Sequence, residues 1–488
     1  AAYYYAKAIE AEANYPFGYI GEGSLALMSG KMNEAEELFK KAEGMNKKDA
    51  SISVAIAEAY IEVKQYPKAQ QSIEKAKKAD KKYAGTFMVE GDLFRAKEEN
   101  LGLAAGSYES ALRLNKKEKS AYLKLAKLYE HANPKVALDY LDQLIAIDPE
   151  YIPAYALIGD INRNRGTYQQ ALRAYEKFIS IPGVPLLQRD RYAQLLYFTD
   201  QYEKSLKEID YVLSFEPNNV VMHRLQAYNN FKLENYETGA QQMDEFMEST
   251  PKDQHIYLDY LTYGQLLLKV KRAEDALAAF QNAAASENAK SEIHKELAMA
   301  YRSLGKQEEM IAEYEKYFEE EKNLSLVDYQ NYGRGLYSLA AKFVSSDYKA
   351  SPVSPEQKTA DDQLFYSSIE KGNDAFGKII ESRPDHYSTL LWMARLNSLV
   401  DLKEQEELGA VMKGVAKPYY EKFVEVALSE NEDGKANKDI LDAYRYLASY
   451  YLLLDDKVNS GEYFKKILEI DPDNADAKTA LDTMQIKY

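Results

Sequence analysis

The sequence predicts an all-α fold in which similar helix pairs follow one another along the chain. Small residues recur with a period of about 34 residues, together with aromatic or aliphatic ones. Within each half of that period, apolar residues fall at i, i+3, i+4 and i+7, which is typical of an amphipathic helix. Glycine and proline number only 23 and 14 among 488 residues, too few for a loop-rich β protein.

The repeat can be aligned on two small positions, one in each helix of a pair. The first is Ala or Gly in all twelve units that can be laid end to end: Gly23, Ala57, Gly91, Ala126, Gly159, Ala193, Ala227, Gly264, Ala298, Gly333, Ala394 and Ala448. The second is small in every unit but one: Ala35, Ala69, Ala104, Ala137, Ala171, Ser205, Gly239, Ala276, Met310, Gly372, Ala416 and Ser460. Small residues in mid-helix allow two helices to approach closely, so the pattern indicates antiparallel pairs.

Proline residues mark the boundaries between several units. They stand at Pro149, Pro217, Pro251, Pro384 and Pro472, where each ends one helix and cannot continue it. A single pair cannot bury its apolar face alone, whereas stacked pairs can. The sequence therefore predicts a solenoid in which each repeat contacts its neighbours.

Aromatic residues complete the pattern at fixed positions of the unit. Tyr60, Tyr129, Tyr301 and Tyr451 occupy its eleventh position, and Phe39, Tyr108, Tyr175, Phe280, Tyr314, Phe376 and Phe464 its twenty-fourth. With Gly or Ala at the eighth position and a small residue at the twentieth, the pattern resembles the tetratricopeptide repeat family over nearly the whole chain. The resemblance implies a right-handed superhelix of about twelve repeats, and we expect a bacterial protein.

Irregular segments divide the predicted array into three parts. Residues 1–324 form an N-terminal array that opens with a lone second helix over 1–15, so we expect further sequence upstream. Residues 325–386 form a repeat with a long insertion, in which 345–360 carries two prolines and little apolar content. We interpret that stretch as a solvated loop that is dispensable for folding. Residues 387–488 form the C-terminal repeats, closed by a capping helix over 475–485.

The composition excludes several classes of function. The net charge of −16 opposes nucleic-acid binding, and no apolar run approaches the length of a membrane span. Cysteine is absent, and no two of the five histidines have the helical spacing of a metal site. No glycine-rich phosphate loop or nucleophile elbow occurs. We therefore expect a protein that is not an enzyme and binds neither metal nor cofactor; its oligomeric state stays open.

The resemblance also implies where a partner binds, because first helices line the concave face in that family. The polar and aromatic residues that its groove positions select in the later repeats are Arg163, Gln194, Arg224, Tyr228, Lys295, Arg302, Arg334, Tyr337, Arg395 and Arg445. Arginine offers a planar fork suited to carboxylates, so we expect a protein or peptide partner with an acidic segment. Alternatively, these cations are solvated or pair with groove acids such as Asp160 and Asp190.

We interpret the protein as a non-enzymatic scaffold or adaptor that binds a peptide or protein in this groove. The alternative is a carbohydrate- or small-ligand-binding helical protein of a bacterial cell envelope, similar to the SusD-like proteins. Such proteins share the repeat in only part of their chain, whereas here it is nearly unbroken. We expect an exported protein, periplasmic or in the cell envelope, whose leader has been removed; a cytoplasmic protein is the alternative.

Overall fold

The computed structural model describes residues 2–97, 101–351, 353–408, 412–430 and 434–488. Within these ranges all regular structure is helical and no strand is present, which confirms the predicted fold class. The chain forms two compact units, Ala1–Leu225 and Gln226–Tyr488, which we describe separately.

The first unit begins with a single helix and continues with helix pairs. Its helices are α1 (Ala2–Ala11), α2 (Pro16–Met28), α3 (Met32–Met45), α4 (Ala50–Glu62), α5 (Tyr66–Ala79), α6 (Ala84–Lys97), α7 (Leu101–Leu114), α8 (Lys119–Tyr129), α9 (Pro134–Ile147), α10 (Ile152–Asn164), α11 (Tyr168–Tyr175), α12 (Leu186–Phe198) and α13 (Tyr202–Leu213). Helix α14 (Val220–Lys232) spans the boundary at Leu225. From α2 to α13, each even-numbered helix packs against the odd-numbered helix that follows it.

The second unit continues the same alternation. Its helices are α15 (Tyr236–Ser249), α16 (Tyr257–Lys269), α17 (Ala273–Ala284), α18 (Glu292–Ser303), α19 (Gln307–Glu320), α20 (Leu326–Lys342), α21 (Ser346–Ala350), α22 (Pro355–Ser382), α23 (Tyr387–Leu408), α24 (Lys417–Glu430), α25 (Asn437–Leu453), α26 (Lys457–Ile470) and α27 (Ala475–Thr483). A 3₁₀ turn, Lys252–Gln254, precedes α16. Helix α20 pairs with α22, α23 with α24 and α25 with α26, and α27 packs against α26.

In most of the helix pairs, the turn between the two helices uses a residue in the left-handed conformation. Eight repeats have one there, and only three of these residues are glycine: Gly30, Gly166 and Gly305 against Lys64, Asp200, Glu234, Lys271 and Asp455. The next N–H then reaches back to the first helix; for example, Gln65 N donates to Tyr60 O at 2.8 Å. This hydrogen bond closes the helix end and reverses the chain within a few residues.

Whether the first small residue is glycine or alanine is related to the size of the second-helix residue that packs on it. Glycine is used where that partner is aromatic in five pairs: Gly23–Phe39, Gly91–Tyr108, Gly159–Tyr175, Gly264–Phe280 and Gly333–Phe376. Alanine is used in the four repeats with an aliphatic residue there: Ala57 with Ile73, Ala126 with Leu141, Ala193 with Ile209 and Ala227 with Met243. Three other repeats combine Ala with an aromatic residue. In the five glycine pairs the ring lies where a Cβ would stand.

We expect Gly159→Ala to lower the free energy of unfolding by about 1–3 kcal/mol, as overpacking does. The added Cβ would lie 2.5 Å from ring atoms of Tyr175. That ring cannot move aside, because it is fully buried and its hydroxyl donates to Asp160 Oδ1 at 2.7 Å. Denaturant unfolding would measure the change. Gly106→Ala is the matched control: its Cβ meets open space, so it should stabilise the protein by up to about 1 kcal/mol.

The insertion differs from the predicted loop. The stretch 345–360 contains α21 and the first turns of α22, so its interpretation as a loop is wrong for those residues. Ser345 and Ser354 accept hydrogen bonds from Tyr348 N and Gln357 N, each at 3.2 Å, and these caps start the two helices. Tyr348 also donates from its hydroxyl to Asp361, which ties α21 to α22. The surrounding side chains are exposed, as expected for a solvated segment.

The end of α1 and the start of α24 complete the description of the helices. Helix α1 packs on α2, with Ile9 beside Gly18, but it ends at Ala11, four residues before the predicted end. Pro418 lies in the first turn of α24, where its missing N–H costs nothing.

Candidate functional site

First helices of neighbouring repeats lie side by side, and a regular set of contacts joins them. The residue that directly follows the first small residue of one repeat contacts a residue of the next repeat. That second residue lies two positions before the first small residue of its own repeat. Three of these contacts are polar: Asp92–Lys124 at 2.6 Å, Asp160–Arg191 at 2.8 Å and Gln265–Glu296 at 2.7 Å. We call this row the first-helix ladder. It places partly buried polar pairs along the face where the sequence predicted a groove.

In two repeats a tyrosine of the second helix supports the ladder. Tyr108 and Tyr175 donate from their hydroxyls to Asp92 and Asp160, both at 2.7 Å. Burial, together with these carboxylates, raises the pKa of both phenols far above the ordinary value. Each aspartate thus joins two helices of its own repeat to the first helix of the next, and its charge is compensated within the protein.

In a fourth contact of the first-helix ladder, a tryptophan stands at the place that a charged residue occupies in the other three. Arg334 on α20 places its guanidinium 4.9 Å from the ring centre of Trp392 on α23, the only tryptophan of the chain. Arg395 lies 5.6 Å from the same ring, and Tyr337 meets it edge-on at 5.3 Å. Both aromatic side chains rest on the core cluster formed by α18 to α23. We call these residues, with Arg302, the arginine–tryptophan cluster.

Arg334 lies in an environment short of negative charge. Its Nε is buried and has no hydrogen-bond partner in the part of the chain that the structure describes. Burial, with the charge of Arg302, lowers the pKa of Arg334 below its ordinary value. Arg302 itself is exposed and donates only to the amide oxygen of Asn331, at 3.4 Å. In the described ranges no carboxylate pairs with either arginine. The cluster therefore holds two neighbouring guanidinium groups whose charge is not compensated.

The other predicted cations of the second unit are paired. Lys295 lies 2.6 Å from Asp328, Arg395 2.9 Å from Asp439, and Arg445 2.9 Å from Asp442 on its own helix. For these three the alternative interpretation, pairing with acids of the same face, describes the structure. Within the second unit, the structure thus separates Arg302 and Arg334 from the other predicted cations.

The first unit contains three of the predicted residues. Arg163 on α10 is half-buried and its Nε has no partner among the described atoms. Gln194 on α12 donates to Asp190 of the same helix, and Arg224 on α14 is half-buried. None of the three takes part in the arginine–tryptophan cluster, which lies wholly in the second unit.

Tyr228 does not face an open groove, so that expectation is wrong. Its side chain is only 4% exposed, and its hydroxyl donates to the buried Asp259 at 2.6 Å. The residue packs between α14 and α16, because an aromatic side chain with a hydrogen-bonded hydroxyl is stable in such a contact. Tyr337, the other predicted aromatic, is half-buried beside Trp392.

The predicted set omitted one position of the repeat altogether. Lys124, Arg191, Glu296, Asn331 and Trp392 all lie two residues before the first small residue, a position that the family's groove residues do not include. Each makes a polar or aromatic contact with the preceding repeat. A signal for Trp392 was available, since a single tryptophan at a polar position is unusual.

We searched the described residues for a metal site and for a membrane-spanning helix. No group of three or more metal-ligating His, Asp or Glu side chains is found in those parts of the chain. None of the helices described is long and apolar enough to cross a membrane.

Comparison with known proteins identifies the repeat. Two tetratricopeptide repeat models match the chain, one at residues 26–85 and the other at 152–183 and 293–323. None of the curated protein sequences matches.

Several solved structures are similar. The C-terminal part of a TPR repeat-containing protein from Cytophaga hutchinsonii is 21% identical over 60% of this chain and 99% of its own, with a TM-score of 0.45. A tetratricopeptide repeat protein from Parabacteroides merdae is 20% identical over 52% and 99%, with a TM-score of 0.33. PilF of Pseudomonas aeruginosa is 16% identical over 44% and 97%, with a TM-score of 0.36.

Proposed function

The chain carries tetratricopeptide repeats, and from that premise we propose that it is a non-enzymatic scaffold that binds an acidic segment of a protein or peptide. The binding surface is the first-helix face of the second unit, centred on the arginine–tryptophan cluster. Repeats of this kind serve as protein-interaction scaffolds, which supports the general role. The finer assignment of surface and partner rests on the residues themselves.

The uncompensated pair of Arg302 and Arg334 carries this proposal. Elsewhere on the ladder, Asp160 neutralises Arg191 and Asp92 neutralises Lys124. At Arg334 the corresponding place holds the neutral Trp392. Arg334 is partly buried beside a second arginine, and its Nε has no acceptor among the described residues, so a ligand that supplies negative charge would be favoured there. An acidic peptide lying along the face would do so.

The expected affinity is moderate. Exposed ion pairs contribute about 0.2–1 kcal/mol each, and a guanidinium that is already desolvated contributes more. Trp392 and Tyr337 add an apolar and aromatic platform beside the charges, which suits an acidic residue followed by an apolar one. Binding should weaken as salt is added, because the contact is electrostatic and partly exposed.

We expect the double variant R302Q/R334Q to bind an acidic probe peptide at least about tenfold more weakly than the natural protein, a loss of about 1.4 kcal/mol. The probe would contain Glu residues interspersed with Leu, and the fluorescence of Trp392 would report its binding. Glutamine keeps hydrogen-bonding capacity on a shorter side chain and removes the charge. Arg395 is left unchanged because it pairs with Asp439 on another repeat.

Arg383→Gln is the control. It removes one exposed arginine from the turn after α22, outside the first helices, so peptide affinity should stay unchanged. Equal binding by the natural protein and R302Q/R334Q would contradict the proposal, as would an affinity that ignores salt. A Lys-for-Glu version of the probe should not bind at all.

A further inference from the structure

We infer that the arginine–tryptophan cluster selects a phosphate monoester on the bound peptide in preference to a single carboxylate. This inference rests on the proposed function and specifies the group that the same surface recognises. Three observations support it: the number of uncompensated charges, the origin of the two arginines on different helices, and the neutral residue at one place of the ladder.

The charge of the site matches a dianion. Among the predicted cations of the second unit, Lys295, Arg395 and Arg445 are each paired with an aspartate, whereas Arg302 and Arg334 have no carboxylate partner in the described ranges. One carboxylate would neutralise one of them. A phosphate monoester carries about −1.5 to −2 charges at pH 7 and would neutralise both.

The donors also come from two directions. Arg302 reaches from α18 to the amide of Asn331, which lies one helical turn before Arg334 on α20. Arg334 keeps its buried Nε–H without an acceptor and is held against Trp392. A carboxylate has two oxygens and is satisfied by one guanidinium fork, whereas a phosphate has three terminal oxygens and can accept from two forks at once.

Trp392 keeps the site open for an external anion. In the other polar ladder contacts the equivalent residue is itself a charged partner, as Arg191 is for Asp160. An acid at residue 392 would neutralise Arg334 internally and leave the ladder complete. The tryptophan instead holds the guanidinium in place through its ring and supplies no charge.

The test compares three peptides that differ at one residue, which is phosphoserine, glutamate or serine in an otherwise identical sequence. Isothermal titration calorimetry of the full chain would measure each affinity. We expect the phosphoserine peptide to bind at least about tenfold more tightly than the glutamate peptide. This preference should diminish below about pH 6, where the phosphate dianion takes up a proton and becomes a monoanion. Inorganic phosphate should compete with the phosphoserine peptide.

Two variants at residue 392 sharpen the test. W392E places a carboxylate beside Arg334, as in the Asp160–Arg191 contact, and should abolish the preference for phosphate while leaving helicity intact. W392F keeps a ring without charge and should retain the preference. R302Q and R334Q should each reduce it to near unity.

The outcomes separate the inference from the proposed function. If the glutamate and phosphoserine peptides bind equally well, the inference is overturned while the scaffold function stands. If neither binds, both fail. Persistence of the phosphate preference in W392E, with its fold retained, would also overturn the inference, because the charge argument would then be wrong.

Discussion

Replacing Asp401 by alanine is expected to lower the free energy of unfolding of the C-terminal repeats by about 3–5 kcal/mol. The carboxylate is fully buried on α23. It accepts backbone hydrogen bonds from Val415 N at 2.8 Å and Ala416 N at 2.9 Å, and one from the Tyr446 hydroxyl at 2.5 Å. Alanine would leave three buried donors without an acceptor, at about 1–3 kcal/mol each before relaxation.

The same contacts show what Asp401 does. They fix the start of α24 against α23 and attach α25 to both, so three helices depend on one side chain. Burial, together with Asp401, raises the pKa of the Tyr446 phenol far above its ordinary value, so Tyr446 remains a donor at any ordinary pH. Urea unfolding followed by Trp392 fluorescence would measure the loss, because Trp392 lies on the same helix.

Asp442→Ala is the control for this experiment. Asp442 is half-buried on α25 and pairs only with Arg445 of its own helix, so its removal should change the unfolding free energy by no more than about 0.5 kcal/mol. An Asp401→Ala variant as stable as this control would show that the connection between α23 and α24 is held by other contacts.

Asp328→Asn is expected to destabilise the second unit by about 2–3 kcal/mol, the second largest effect among the single substitutions. Asp328 is 1% exposed and caps α20: its Oδ2 accepts from Ser325 N at 3.0 Å and from Ser325 Oγ at 2.7 Å. Its Oδ1 lies 2.6 Å from Lys295 Nζ, on the preceding repeat. Asparagine would keep the side-chain shape but lose the ion pair and one acceptor.

The effect should depend on pH in a defined direction. Burial alone would raise the pKa of Asp328, but the Lys295 ammonium and the Ser325 donors outweigh it, so the net pKa is lowered. A carboxyl group with a lowered pKa stabilises the fold above its unfolded pKa near 4 and loses that contribution as the pH falls through its folded value. The stability difference between the natural protein and Asp328→Asn should therefore be full at neutral pH and vanish in acid. A pH-independent difference would contradict the assignment.

The helix pairs were predictable because their close packing restricts the size of the residue at a fixed position of each helix. A side chain pressed against a facing helix must be small, so Gly159 or Ala193 records a contact without knowledge of the partner. The start of α22 could also have been read, since Ser354 followed by proline is an N-terminal signal, but the low apolar content of the segment favoured a loop.

The site was predictable only in part. The groove positions selected Arg302, Arg334 and Tyr337, which lie in the arginine–tryptophan cluster, but could not show that Arg395 pairs with a carboxylate whereas Arg302 has none in the described ranges. Such pairing joins residues on different repeats, and their spacing varies with insertions. The insertion between α20 and α22 separates Arg334 and Trp392 by far more than one period, which hides the ladder contact in the sequence.

The glycine–aromatic pairs also restrict the mutational paths open to this gene. To convert such a repeat into the alanine–aliphatic type, two codons must change, and the two orders are not equivalent. If the ring of Phe280 shrinks first, a cavity forms that the neighbours can partly fill; if Gly264 gains a methyl group first, the methyl overlaps a fully buried ring. Substitution in these five repeats should therefore proceed from the second helix to the first, so that intermediates carrying glycine opposite an aliphatic residue are the ones that survive.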